Sequence, residues 1–188
     1  MHVTGRRLQL FLGILAILIA ILLGGYTLYK YWQHANTAEP APPLQSTIGH
    51  ERPLFVLSDI TGRPHNINEW DNHVVIINFW ATWCKPCRRE IPMFTQLQAA
   101  RGAEGLQFIG IAIDEKTAVD DFISKLEIPV NYPMLAGEDD AITIAKQFGN
   151  EFGVLPYSVI IDRNRRIAFI QFGEFPKNEI EQQIDALL

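Results

Sequence analysis

Cys84 and Cys87 are the only cysteines in the chain, and only Lys85 and Pro86 separate them. The apolar run at residues 74–79 before them is typical of a buried strand, and helical spacing follows Pro86. A Cys-x-x-Cys between a strand and a helix is the arrangement of a thiol–disulfide redox site. Unpaired N–H groups and the helix dipole at a helix start favour the Cys84 thiolate, the form that attacks disulfides. Cys87, one turn further in, can then displace a mixed disulfide.

Three alternative roles for the cysteine pair fit the sequence less well. A loop this short constrains the unfolded chain little, so a purely structural disulfide would contribute little stability. A structural zinc site needs about four ligands, and none of the five histidines is spaced as a ligand pair. Two inert thiols are not expected beside Trp80, Trp83 and Pro86. The pattern favours a redox pair whose potential is tuned by Lys85 and Pro86.

The segment around the pair, residues 78–90 (Asn-Phe-Trp-Ala-Thr-Trp-Cys-Lys-Pro-Cys-Arg-Arg-Glu), resembles the active-site segment of thioredoxin-like proteins. It is most similar to the membrane-anchored TlpA/ResA type, and the similarity extends from near His50 to the end of the chain. The resemblance implies an α/β thioredoxin-like fold, with a mixed central sheet and helices on both faces. It also implies an N-terminal β-hairpin extension and a central αβ insertion between residues 115 and 149.

The hydrophobic pattern of the domain agrees with this fold. Alternating strands and helices, followed by a hairpin and a last helix, fit a mixed sheet that is covered on both faces. Residues 54–57 and 65–68 predict the two strands of the N-terminal hairpin. Thr117 is expected to cap the helix that follows the second buried strand. His65 and His73 are expected to be surface or turn residues.

Charge is distributed unevenly along the chain. Arg6, Arg7 and Lys30 are the only charged residues before Asn36, and all 21 acidic residues follow it. The remainder of the chain therefore has a net charge of −8 and carries no basic stripe. An acidic domain of this kind argues against nucleic-acid binding.

Residues 8–29 form a run of 22 uncharged, mostly apolar residues. This length suffices for a helix to cross the hydrocarbon core of a membrane. Arg6 and Arg7 outnumber the nearby Lys30, so the positive-inside rule places the N-terminus in the cytoplasm. A cleaved signal peptide is the alternative, but its apolar region would be only about 7–15 residues long.

Three parts of the chain are therefore predicted. Residues 1–32 form a short cytoplasmic N-terminus and a transmembrane anchor, residues 33–50 a proline-containing linker, and residues 51–188 the thioredoxin-like domain. The protein is expected to be a single-pass protein of the inner (cytoplasmic) membrane. Its C-terminal domain would face the periplasm or the cell exterior, where disulfides form and persist.

The resemblance also implies roles for individual residues. Cys84 is the expected nucleophile, and Cys87 is the residue that resolves the mixed disulfide. Asn78 stands where plain thioredoxins carry a buried aspartate, and an amide cannot titrate. Glu90 lies one helical turn after Cys87 and can share its helix face. By resemblance Glu90 is the proton-handling acid, with a pKa raised by desolvation. Pro156 corresponds to a cis-proline that faces the cysteines.

Substrate binding is expected around the same cysteines. By resemblance, the backbone before Pro156, at Leu155, pairs with a substrate peptide in strand fashion. Trp83 shapes the apolar surface around the nucleophile. Lys85 and Pro86 complete the predicted substrate-binding set.

These residues predict a membrane-anchored reductase of disulfides in exported proteins, working through the Cys84/Cys87 couple. The resemblance suggests apocytochrome c as one substrate, and a membrane thiol donor of the DsbD/CcdA type as the source of electrons. A monomeric domain without cofactor or metal is expected. An oxidase or isomerase would use the same pair in the opposite direction, and its reduction potential would reveal it. A copper chaperone would bind Cu(I) through the thiolates, but no histidine follows His73.

Overall fold

The computed structural model of the protein describes residues 12, 17–30 and 47–188. The chain divides into two compact units, Met1–Ala41 and Pro42–Leu188. The division into anchor, linker and domain stays a prediction, because most of the predicted linker lies outside the described residues.

The described residues of the first unit belong to an exposed helix, α1 (residues 12 and 17–30). No helix in the described parts of the chain is long and apolar enough to span a membrane. Residues 8–11 and 13–16 of the predicted anchor lie outside the described residues.

The second unit contains two sheets. A hairpin, β1–β2, stands apart from a five-stranded sheet with the strand order β5-β4-β3-β6-β7. Strands β3, β4 and β5 run parallel to one another. β6 is antiparallel to both of its neighbours, β3 and β7, which gives the predicted mixed sheet. In chain order the elements are β1 (Val56–Ser58), β2 (Pro64–Asn66), a 3₁₀ helix (Ile67–Trp70), β3 (Val74–Trp80), α2 (Lys85–Arg101), a 3₁₀ helix (Gly102–Glu104), β4 (Leu106–Ala112), α3 (Lys116–Ile123), β5 (Met134–Ala136), α4 (Glu138–Gln147), β6 (Tyr157–Ile161), β7 (Ile167–Phe172) and α5 (Lys177–Leu187).

The central strand β3 is buried along its whole length, which explains its continuous apolar sequence. Successive side chains of a strand point to opposite faces of the sheet. Ile76 and Trp80 join the core cluster built with α2, α3 and α5. Ile77 and Phe79 join the cluster built with α4 and the hairpin. Asn78 therefore faces the side of the sheet that α2 covers.

The predicted insertion is present as α3 and β5, which lie between β4 and α4. β5 is an edge strand, and the turn after β1 covers part of it, because the Ile60 N–H donates to the Met134 carbonyl. The prediction that Thr117 caps α3 is wrong. The helix starts earlier, with Glu115 at the N-cap position and Thr117 already inside the first turn.

The hairpin differs from the prediction in two ways. Its return strand ends at Asn66, because Asn66 and Glu69 form a capping box that starts the 3₁₀ helix. His65 is only 9% exposed, so its assignment to the surface is wrong. Its ring nitrogens lie 2.9 Å from Glu69 Oε2 and 3.1 Å from Asp59 Oδ2, and its ring stacks on Trp70. The two carboxylates satisfy the polar atoms that would otherwise keep a histidine in water.

Candidate active site

Cys84 and Cys87 form a disulfide at the start of α2. Cys84 is the N-cap residue of the helix and is 6% exposed, whereas Cys87 is completely buried. Pro86 lies in the first turn, where its missing N–H has no helical partner to lose. The Cys87 N–H donates to Cys84 Sγ at 3.4 Å. In the reduced protein the same N–H and the helix dipole would stabilise a thiolate at Cys84.

Asp114 positions the loop between β3 and α2. It is the second residue after β4, the parallel neighbour of β3, and its Oδ2 accepts the Thr82 N–H at 2.6 Å. The Cys84 N–H then donates to the Ala81 carbonyl at 3.1 Å. Sequence reasoning gave Asp114 no role. The signal that could have found it was its position, because the carboxyl ends of neighbouring parallel strands meet at one edge of a sheet.

Glu90 is the centre of a buried polar network on the α2 side of the sheet. It is 1% exposed, and its Oε1 accepts the Phe175 N–H at 2.6 Å. Its Oε2 lies 3.5 Å from Asn78 Nδ2, which also donates to Ser158 Oγ at 2.9 Å. Asn78 and Ser158 are paired residues of β3 and β6. Sequence reasoning did not identify Ser158 or Phe175.

Burial raises the pKa of Glu90 from 4.5 to about 7. The Phe175 N–H opposes this shift, the nearby charge of Glu174 adds to it, and Asn78 and Arg89 lower the pKa again. A carboxyl group with a pKa near 7 is suited to accept and donate protons at neutral pH. Glu90 and Cys87 both belong to the buried face of α2, so this group lies on the same side of the helix as the second cysteine.

The Leu155–Pro156 peptide bond is cis. Pro156 is buried, and the half-buried Leu155 packs against the core cluster that contains both cysteines. The Pro156 carbonyl accepts the Gly173 N–H at 2.9 Å. The structure therefore gives Pro156 the conformation that the resemblance implies.

Trp80 and Trp83 have different environments. Trp80 is completely buried, whereas Trp83, next to Cys84, is 67% exposed. Lys85 is exposed and has no ion-pair partner among the described residues. Trp83 and Lys85 therefore lie at the surface, on either side of Cys84 in the chain. In residues 12, 17–30 and 47–188, no group of three or more His, Cys, Asp or Glu side chains could hold a metal ion.

Comparison with known proteins agrees with this geometry. The model of the AhpC/TSA family matches residues 48–170. The chain belongs to the AhpC/TSA family. Its relatives in this family include thiol-disulfide oxidoreductase ResA of Geobacillus thermodenitrificans, which is 31% identical over 185 residues, with 97% of each chain covered. ResA of Bacillus subtilis is 27% identical over 183 residues, covering 97% of this chain and 94% of the relative.

A solved structure extends the comparison to three dimensions. A candidate thiol:disulfide interchange protein DsbE from Chlorobium tepidum superimposes with a TM-score of 0.67 and 29% identity, covering 74% of this chain and 96% of that protein. The AhpC/TSA family assignment, the thioredoxin-like fold and the cysteine pair identify this protein as a thiol-disulfide oxidoreductase of the ResA/DsbE type.

Replacing Glu90 by Gln is expected to change the pH dependence of stability of the disulfide form. Between pH 4.5 and about 7 the folded protein keeps a proton on Glu90 that the unfolded chain loses, so stability falls as pH rises. The Glu90→Gln variant has no carboxyl group to titrate, so its stability does not fall for this reason. From pH 4 to pH 8, its unfolding free energy relative to wild type should increase by about 3 kcal/mol. Urea unfolding at both pH values measures this difference.

The matched control is Glu151→Gln, because Glu151 is exposed and has no ion-pair partner among the described residues. Its unfolding free energy relative to wild type should not change across this pH range. If the Glu90→Gln difference were equally independent of pH, the raised pKa of Glu90 would be refuted.

Proposed function

We propose that the protein reduces disulfides in exported proteins, with Cys84 as nucleophile and Cys87 as resolving residue. The observation that carries the proposal is the asymmetry of the pair. Cys84, whose Sγ caps the helix, keeps 6% of its surface exposed, whereas Cys87 is completely buried. A substrate can therefore reach one sulfur, and the other is kept for the intramolecular step.

The reaction is a two-electron exchange. The Cys84 thiolate attacks one sulfur of the substrate disulfide, and the other substrate sulfur leaves as a thiolate. Cys87 then loses its proton and attacks Cys84 Sγ, which forms the Cys84–Cys87 bond and releases the second substrate sulfur. Glu90 is the group proposed to accept the Cys87 proton, since its pKa of about 7 allows both protonation states near neutrality.

The loop before Pro156 supports the proposed peptide-binding role of Leu155. Asn150 is buried, and its side-chain amide bonds both the N–H and the carbonyl of Val154 at 2.9 Å. Among the described residues, the backbone N–H and carbonyl of Leu155 have no hydrogen-bond partner. Asn150 therefore fixes the loop while Leu155 keeps the donor and acceptor with which an extended peptide could pair. Trp83, Lys85 and Pro86 complete the proposed binding surface.

The resemblance to the TlpA/ResA type supports apocytochrome c as one substrate class. The c-type haem is attached at a Cys-x-x-Cys-His sequence, so an oxidised peptide of this sequence is a suitable probe. The Cys87→Ser variant should accumulate a mixed disulfide with the peptide at Cys84, because the resolving sulfur is absent. If the variant forms mixed disulfides with an unrelated disulfide peptide but not with this one, apocytochrome c is excluded as a substrate.

Membrane anchoring and location rest on the uncharged residues 8–29 and the basic residues before them. We place the domain in the periplasm or at the cell exterior, held by a single span in the inner (cytoplasmic) membrane, with a membrane thiol donor of the DsbD/CcdA type as partner. A membrane-impermeant thiol reagent should label Cys84 in mildly reduced cells whose outer envelope is permeable. Labelling only after lysis would contradict this location.

Reduction of substrate, rather than oxidation, requires a low reduction potential. We expect the Cys84/Cys87 couple to lie near the thioredoxin value of about −270 mV rather than near the value of about −120 mV found for a strong oxidant. Equilibration of the full chain with thiol buffers of known potential, followed by mass tagging of free thiols, measures this value.

The control is the Cys84→Ser variant, which should show no two-electron transition in the same buffers. A potential near about −120 mV would instead make the protein a thiol oxidase that uses the same pair in the opposite direction.

A further inference from the structure

One short segment, residues 173–175 between β7 and α5, contacts three parts of the site. The Gly173 N–H donates to the Pro156 carbonyl at 2.9 Å. The Phe175 N–H donates to Glu90 Oε1 at 2.6 Å. Between them, the Glu174 carboxylate accepts two hydrogen bonds from the Arg89 guanidinium, at 2.6 and 3.2 Å. The segment thus connects the cis-proline loop, the buried carboxyl group and helix α2.

The three contacts differ in their exposure. Phe175 is buried, with its ring stacked on Phe169, and Glu90 is 1% exposed. The side chains of Arg89 and Glu174 are 60% and 43% exposed. Exposed ion pairs contribute little to global stability, but a two-point guanidinium–carboxylate contact fixes geometry. The pair is therefore better suited to hold the segment in position than to stabilise the fold.

Several charged or titratable groups surround Glu90. Arg89 lies beside it on α2, and Glu174 precedes Phe175, its hydrogen-bond donor. Lys177 lines a groove of about 450 Å³ together with Arg89, Glu90 and Glu174. Tyr132 lies on the buried side, where its pKa is raised by desolvation and by the charge of Glu90. Cys87 adds a thiol from α2 once the disulfide is reduced.

We propose that Glu174, acting through Arg89, is a positioning residue for Glu90. Their ion pair holds residues 173–175 against α2, so that the Phe175 N–H stays on the Glu90 carboxylate. This inference rests on the proposed role of Glu90 in moving the Cys87 proton. The segment would then position two parts of the site, because the Gly173 N–H also donates to the Pro156 carbonyl.

Two effects of Glu174 on Glu90 have opposite signs, which makes the proposal testable. The negative charge of Glu174 raises the pKa of Glu90, whereas the Phe175 N–H lowers it and has the larger effect. If Glu174 is only a nearby charge, its removal lowers the pKa of Glu90. If Glu174 holds the segment, its removal also weakens the Phe175 hydrogen bond, and the pKa of Glu90 rises.

The experiment is a ¹³C NMR titration of the Glu90 carboxyl group in the full chain, in the disulfide form so that neither cysteine titrates. In the Glu174→Ala variant the midpoint should rise by about half a pH unit, within the range that one exposed charge pair supplies. The Phe175 amide should exchange with solvent about tenfold faster. The double variant Arg89→Glu with Glu174→Arg rebuilds the pair in reverse, and it should return Phe175 exchange to the wild-type rate.

The matched control is Glu181→Ala, which removes another exposed carboxylate from an ion pair, 3.8 Å from Lys177 on α5, without touching the segment. Neither the Glu90 midpoint nor Phe175 exchange should change. A fall in the midpoint in Glu174→Ala, or unaltered Phe175 exchange, would overturn the proposal. If only the positioning role of Glu174 is wrong, the wild-type reduction potential still lies near that of thioredoxin. If only the reductase function is wrong, the reduction potential is high, and the Glu90 midpoint in Glu174→Ala still rises.

Discussion

The site depends on the start of helix α2, where the chain leaves the sheet and the Cys87 N–H donates to Cys84 Sγ. This contact requires the β3–α2 loop to bring Cys84 to the helix N-terminus with its sulfur directed at the free N–H groups. β3 fixes the start of this loop, because β4 and β6 pair with it on both sides and both of its faces are buried. Asp114 then holds the loop at Thr82. The position of Cys84 Sγ at the helix start is thus a consequence of packing across the whole sheet.

The second constraint is the cost of burying a carboxyl group. Glu90 lies in the core, where desolvation raises its pKa. One backbone N–H, from Phe175, and one more distant amide, from Asn78, offset only part of that cost. A fully paired carboxylate would stay ionised, and an unpaired one would stay protonated. This intermediate degree of pairing keeps the pKa of Glu90 near neutral pH, where the group can both accept and donate a proton.

Local patterns predicted much of the fold, and long-range contacts account for what they missed. The buried strands of the central sheet are continuous apolar runs, and the last helix has helical apolar spacing, so their positions followed from the residues. His65 was misplaced because its burial depends on Asp59 and Glu69, which periodicity does not connect to it. Most hydrogen bonds of the site join distant positions, 32 residues apart for Thr82 and Asp114, and 85 apart for Glu90 and Phe175. The cis bond at Pro156 came from family resemblance, since only about 5–6% of such bonds are cis.

The decisive measurement is the alkylation rate of each cysteine in the reduced full chain as a function of pH. Brief iodoacetamide pulses, followed by peptide mass mapping, give separate curves for Cys84 and Cys87. We expect Cys84 to react with a midpoint well below about 8.5, the value of an unperturbed thiol, while burial protects Cys87. A midpoint for Cys84 at or above that value, or equal reactivity of the two cysteines, would contradict an activated nucleophile at the start of α2.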